Sequence, residues 1–273
     1  MRRISNTFSL MKSAFDVLRA DPALLLFPVF SGLFTLLVIA SFVLPFLATG
    51  SAGMPLTANL NSPVGYVYLF LFYYISYFVI LFFNAASVTY SIDFMRGGRP
   101  TIQTAMRAVM NRLTHLLGWT FIASSVGLIL NSLENQSDAI GKIVIGFLGL
   151  SWTVISFLVL PILIIEGKGP VESLKISAKM LKNSWGEQLI GHFSFGLIFT
   201  LLMIPVVLTV ILLMQLGGPF IIIGIVAGVI AGIGFGIVQW SLQSIFMGTV
   251  YLYVREEKVP AGFSLSQISN ALH

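Results

Sequence analysis

The chain has no cysteine, so neither a disulfide nor a thiolate metal site is available to it. Charge is almost as scarce. Asp, Glu, Lys and Arg make up 9% of the residues against 57% hydrophobic, and mean hydropathy is +0.95. The scarcity is uneven: no Lys, Arg, Asp or Glu occurs from Pro22 to Ile92, Leu113 to Leu133, Ile143 to Ile165 or Gln188 to Val254. A bilayer core needs roughly 20 apolar helical residues per crossing, and a charge at its centre costs about 2.5–3.5 kcal/mol or more. These gaps therefore predict a polytopic membrane protein. Catalytic signatures are missing as well. His115, His192 and His273 have no metal-ligand spacing, and there is no Gly-rich phosphate loop with Lys, no Gly-x-Ser-x-Gly elbow and no HExxH. The loops are too short to house an active-site domain. No catalytic residue, metal or cofactor is expected, and the chain is read as non-enzymatic.

The two longest gaps exceed one crossing each and divide at turn residues. The first breaks over Thr49–Pro63 and the last at Gly217-Gly218-Pro219. Six spans result, near 24–48, 64–92, 116–132, 142–165, 189–214 and 220–254. Helices satisfy every backbone group within the segment. The strand alternative is disfavoured because these runs are apolar on every face, whereas barrel strands alternate. A cleaved leader is not expected, since the first apolar run is too long and some 20 structured-looking residues precede it. Of the 15 Lys and Arg, all but Lys142 fall in the termini and even-numbered loops, which predicts both termini on the cytoplasmic side. A bacterial inner membrane is the simplest home. The net charge of +5 is thus a topology signal, and no nucleic-acid partner is implied.

Each pair of spans follows an amphipathic stretch. Ile4, Phe8, Met11, Phe15 and Leu18 form one apolar stripe, with Lys12, Asp16 and Arg19 off it. Ile102, Met106, Val109, Leu113 and Leu116 form a second, with Arg107 and Arg112 opposite. Val171, Leu174, Ala178, Leu181 and Trp185 form a third, with Lys175, Lys179 and Lys182 opposite. Such helices lie in the headgroup layer, where apolar burial and attraction to anionic lipid add. The expected fold is an all-α membrane protein of six transmembrane helices in three hairpins, each preceded by an interfacial helix. Its units are 1–92, 93–165 and 166–254, with a cytoplasmic tail over 255–273. Two elbows share a charged-Gly-x-x-Pro pattern, from Arg96 to Pro100 and from Glu166 to Pro170, and Ser264 to Gln267 fits a capping box. A Ser-(x)-Gly-Leu signature recurs at Ser31, Ser125 and Ser194. The pattern reads equally as a true repeat or as the basic elbow any re-entering chain needs.

Four sets of residues are candidates for function. Gly224, Gly228, Gly232 and Gly236 make a side-chain-free ridge on the sixth span, either an oligomer contact or internal helix packing. Asn84, Gln239 and Gln243 are the polar intramembrane groups, a hydrophilic path or, as favoured, structural glue. Asp93, Arg96, Arg99, Glu166, Glu187 and His192 cluster at the cytoplasmic border, as a gate, a salt-bridged elbow or ordinary helix-end charge. Arg107, Arg112, Lys175, Lys179 and Lys182 are the expected contacts to anionic phospholipid.

Several motifs carry a resemblance. Phe82-Phe83-Asn84-Ala85-Ala86, Arg96-Gly97-Gly98-x-Pro100, Glu166-Gly167-x-Gly169-Pro170, Trp185-Gly186-Glu187-Gln188 and Tyr251-x-Tyr253 followed by Val259-Pro260-x-Gly262-Phe263 resemble landmarks of an uncharacterised bacterial integral-membrane family, a domain of unknown function. The region Ser177 to Leu181 is more loosely similar to the membrane domain fused to some glycerophosphodiester phosphodiesterases, whose catalytic domain this chain lacks. The resemblance implies six helices with interfacial elbows and assigns no functional residue. Two functions are then open. One is a homo-oligomeric passive channel or transport subunit assembled through the glycine ridge. The other is a membrane scaffold or lipid-organising subunit, with anionic phospholipid and an unidentified protein as partners. A minor third, an intramembrane enzyme acting on lipid, would have to use Glu166 and Glu187.

Overall fold

Residues 2–48, 63–184 and 190–264 are described by the structure, a computed structural model; side chains within 2–8, 45–48, 181–184 and 190–199 are not. All regular structure among the described residues is helical. The elements are α1 (Arg2–Ala20), a 3-10 turn (Pro22–Leu25), α2 (Leu26–Ala48), α3 (Pro63–Met95), α4 (Ile102–Met110), α5 (Leu113–Asn135), α6 (Ala139–Ser156), α7 (Val159–Ile165), α8 (Pro170–Ser184), α9 (Ile190–Gln215) and α10 (Pro219–Glu256). Five helical stretches are long and apolar enough to cross a bilayer: Pro22–Leu44, Pro63–Met95, Leu113–Asn135, Ala139–Ile165 and Pro219–Glu256. In α9 the described apolar stretch, Thr200–Gln215, is shorter. The expected loop over 49–63 and the Ser264–Gln267 capping box fall almost wholly outside the described residues.

The chain divides into two compact units. The first comprises Met1–Leu26, Ser91–Arg99 and Met180–His273. Its core is the run Ser241–Leu252 of α10, in which only Gln243 is not fully buried, with Leu10, Ala14, Val17 and Leu18 of α1 and Ile92 and Met95 at the end of α3. Gly248 makes this core possible: a Cβ there would stand 2.9 Å from Met95 Cε and 3.1 Å from Ile92 Cγ1. The Ser241 hydroxyl reaches the carbonyl of Leu24 at 3.3 Å, tying the 3-10 turn to α10. Of the described part of the expected stripe, Met11, Phe15 and Leu18, only Leu18 lies on the buried face of α1. Phe15 is 37% exposed, while Ser13 and Ala14 are buried, because small side chains let α1 lie close to its neighbours.

The second unit comprises Phe27–Tyr90 and Pro100–Lys179. Lipid tails are as apolar as Leu, so helices in a bilayer associate by close packing and hydrogen bonds rather than by a hydrophobic drive. Aromatic rings fill the seam between α2 and α3: Phe42 lies 5.1 Å from Tyr68 and 5.3 Å from Phe72, and Phe27 meets Tyr90 edge-on at 5.5 Å. The Tyr68 hydroxyl donates to the Phe42 carbonyl at 2.7 Å, and the Tyr74 hydroxyl to the Leu117 carbonyl at 3.1 Å. Trp119 of α5 stacks on Trp152 of α6 at 5.8 Å.

Two expected continuous helices are broken in this unit. The span expected over 142–165 stops at Ser156 and restarts at Val159. Pro161 is the reason. Inside an unbroken helix its ring would meet the Phe157 carbonyl and one hydrogen bond would be lost, whereas in the first turn of a new helix its missing N–H is an orphan in any case. The second amphipathic stretch, expected to run from Ile102 to Leu116, ends at Met110 and restarts at Leu113. There the Asn111 and Arg112 amides tighten onto the Arg107 and Val109 carbonyls, redirecting the chain into α5. Thr101 and Thr104 form a reciprocal capping box at the start of α4.

Candidate functional site

The charged end of the first unit begins with a helix stop. The Gly97 amide donates to the Phe94 carbonyl at 2.9 Å and the Gly98 amide to the Asp93 carbonyl at 3.0 Å, the paired bonds of a Schellman motif. Gly97 takes φ +83°, a left-handed conformation that only glycine adopts without strain. A Cβ on Gly98 would sit 2.9 Å from the Asp93 oxygen. The Arg-Gly-Gly motif is thus the device that ends α3 and turns Arg96 outward.

Arg96 then joins three other charges. It pairs with Asp93 one turn back at 3.6 Å and with Glu256 at the end of α10; Glu256 also receives Lys258 at 3.3 Å. Partial burial works to lower the Arg96 pKa, but the hydrogen bond to Glu256 and the charges of Glu256 and Asp93 outweigh it, so the guanidinium lies above its ordinary range. Beyond this cluster the chain returns. The Ala261 amide donates to the Met95 carbonyl at 3.1 Å, Pro260 is buried, and a Cβ on Gly262 would meet Val17 Cγ2 at 2.9 Å. The end of α3 and the returning tail, far apart in the chain, are latched through the Met95–Ala261 and Arg96–Glu256 contacts. Two carboxylates answered by two cations make a neutral clamp on helix ends; its geometry is that of a structural joint.

In the second unit the third elbow is built differently. Gly167 takes φ +67°, and a Cβ there would meet the Arg112 guanidinium at 2.6 Å. Lys168 pairs with Glu172 at 2.8 Å. The start of α8 packs so tightly on α5 that a Cβ on Gly118 would stand 3.1 Å from Pro170 Cγ. Ser173 and Ser177 are fully buried, and Ser177 Oγ accepts the Leu158 amide at 3.2 Å, closing the gap between α6 and α7.

The sequence-predicted sets fare differently. Of the border set, Asp93 and Arg96 come together; Arg99 is exposed in the same unit and Glu166 belongs to the other. Glu187 and the side chain of His192 lie outside the described residues. Glu256 and Lys258 were missed, although they stand in the charge run Arg255–Lys258 directly after the last span. Of the ridge, Gly224 and Gly228 face α9 of the same chain, their Cβ positions 3.2 Å from Leu213 Cβ and 2.9 Å from Val210 Cγ2, whereas Gly232 and Gly236 meet nothing within 4 Å. Gln239 and Gln243 stand half-buried one turn apart in the first unit, and Asn84 is half-buried in the second. Arg107, Arg112, Lys175 and Lys179 are exposed; the side chain of Lys182 lies outside the described residues.

Residues 63–262 match a protein family described as a family of unknown function, DUF6159. The chain belongs to that family. No curated protein matches the chain. The matched region takes in the helix stop, the ion-pair cluster, the third elbow and the tail latch, so the motifs that carried the resemblance include the joints of the fold. The looser likeness to the membrane domain of glycerophosphodiester phosphodiesterases finds no support in the match.

Proposed function

We propose that the chain is a non-enzymatic lipid-organising scaffold of the bacterial inner membrane, with six crossings in three hairpins and both termini cytoplasmic. The observation that carries this reading is the three-sided form of α8. At 100° per residue, buried Ser173 and Ser177 occupy one side. The apolar positions Val171, Leu174 and Ala178, with Val171 53% exposed, occupy the next, and exposed Lys175 and Lys179 the third. No described carboxylate pairs with either lysine. A partly exposed apolar stripe flanked by lysines without a described carboxylate partner is the arrangement that inserts into an anionic headgroup layer, at roughly 1 kcal/mol per basic residue. The serine side that docks α8 on α7 is separate from the side offered to lipid.

The test is neutralisation of Lys175, Lys179 and Lys182 to Gln, with co-purifying phosphatidylglycerol counted by native mass spectrometry. The scaffold reading expects a clear loss of anionic lipid with the helical circular-dichroism signal intact. An unchanged lipid count rejects it. A second reading, the homo-oligomeric channel, is favoured by the open space at Gly232 and Gly236. A monomeric native mass in a bilayer mimetic would remove that reading.

A further inference from the structure

A groove of about 450 Å³ lies within the first unit, lined by Met11, Lys12 and Phe15 of α1, Leu202 of α9 and Gly234 and Val238 of α10. Its volume falls in the range of small-molecule sites. Its depth comes from a missing side chain, since nothing lies within 4 Å of the Cβ position of Gly234. Apart from Lys12 the named walls are apolar. Lys12 is exposed, and no described carboxylate, Asp16 one turn away included, pairs with it. A second cation stands at the same wall: the Arg19 guanidinium lies 4.8 Å over the ring of Phe15. An apolar slot with an exposed lysine at one side is complementary to an amphiphile with a single anionic end. In a membrane the apolar material at hand is the acyl chain, and basic pockets between helices take anionic headgroups.

We infer that this groove is a site for one anionic phospholipid, an acyl chain lying over Gly234 and the headgroup phosphate drawn to Lys12, with Arg19 beside it. The inference deepens the lipid-organising reading and rests on it. α1 would then be more than an anchor: it would form one wall of the lipid's site.

The experiment titrates the delipidated protein in mild detergent with phosphatidylglycerol or phosphatidylcholine and follows binding by native mass spectrometry. Gly234→Leu places its Cβ where nothing lies within 4 Å, so its side chain occupies the slot, and it raises helix propensity, so it is expected to fold. The wild type should hold one phosphatidylglycerol tightly. Gly234→Leu should weaken that lipid at least tenfold, and Lys12→Gln should cut the preference for phosphatidylglycerol over phosphatidylcholine about fivefold. If both variants bind like the wild type while the α8 lysine variant loses lipid, the groove is overturned and the scaffold reading stands. If the wild type holds no phosphatidylglycerol, both fall. If Gly234→Leu instead abolishes a lipid-independent dimer, the occupant is a second copy and the inference is overturned.

Discussion

Removing the Ser177 hydroxyl tests how the broken fourth span is held. Pro161 forces the break, and at the break Leu158 has lost its place in the α6 ladder: Val154 O, its normal acceptor, already takes the Phe157 amide at 3.1 Å. Leu158 and Ser177 are both fully buried, so water does not replace the 3.2 Å bond from the Leu158 amide to Ser177 Oγ. Ser177→Ala leaves no cavity larger than one oxygen. Its cost is that of an orphaned buried amide, about 1–3 kcal/mol. Hydrogen exchange at the Leu158 amide in micelles should accelerate roughly 5- to 150-fold, and stability against denaturing detergent should fall by the same energy. The cause is checked in a second background. Pro161→Ala lets the helix run through, returning the Leu158 amide to the ladder, so Ser177→Ala should then cost under about 0.5 kcal/mol. Equal costs in the two backgrounds, or unchanged exchange at Leu158, would refute the reasoning.

The remaining predictions concern the first unit. In a double-mutant cycle of Arg96→Met and Glu256→Gln, the pair should couple by about 0.5–1 kcal/mol, the modest value of a partly exposed ion pair, and the coupling should shrink in high salt. Gly228→Leu drives a side chain into Val210 and should destabilise the monomer by about 1–3 kcal/mol, whereas Gly232→Leu enters open space and should leave the monomer's melting unchanged within about 0.5 kcal/mol. Equal losses in both would show that Gly232, too, is packed within the chain.

The helices were legible because hydropathy records the solvent of a whole segment. Spans expected at 64–92, 189–214 and 220–254 are helices Pro63–Met95, Ile190–Gln215 and Pro219–Glu256. The break after Ser156 was written in Pro161, but it is invisible to a hydropathy window because proline there is surrounded by Val, Leu and Ile. Faces were harder for another reason. A helix against lipid and a helix against protein show the same period, so the stripes did not tell which side docks: Phe15 and Val171 on them are exposed. The docking sides include small and polar residues, Ser13 and Ala14 on α1 and Ser173 and Ser177 on α8, and a hydroxyl reads as surface until its acceptor is known. The ion-pair cluster depended on contacts 160 residues apart, which no local pattern encodes.

The glycine row shows the same ambiguity resolved at a single point. Four residues with one spacing promise one continuous surface, yet Gly224 and Gly228 are consumed by α9 while Gly232 is free. What changes along α10 is the neighbour. One role of the missing side chain is close helix approach; the other, at Gly234, is a slot beside α1. Periodicity locates where backbone is bare. Whether bare backbone receives a helix or a lipid depends on what stands opposite, and at Gly234 that is Met11, Phe15 and an exposed lysine.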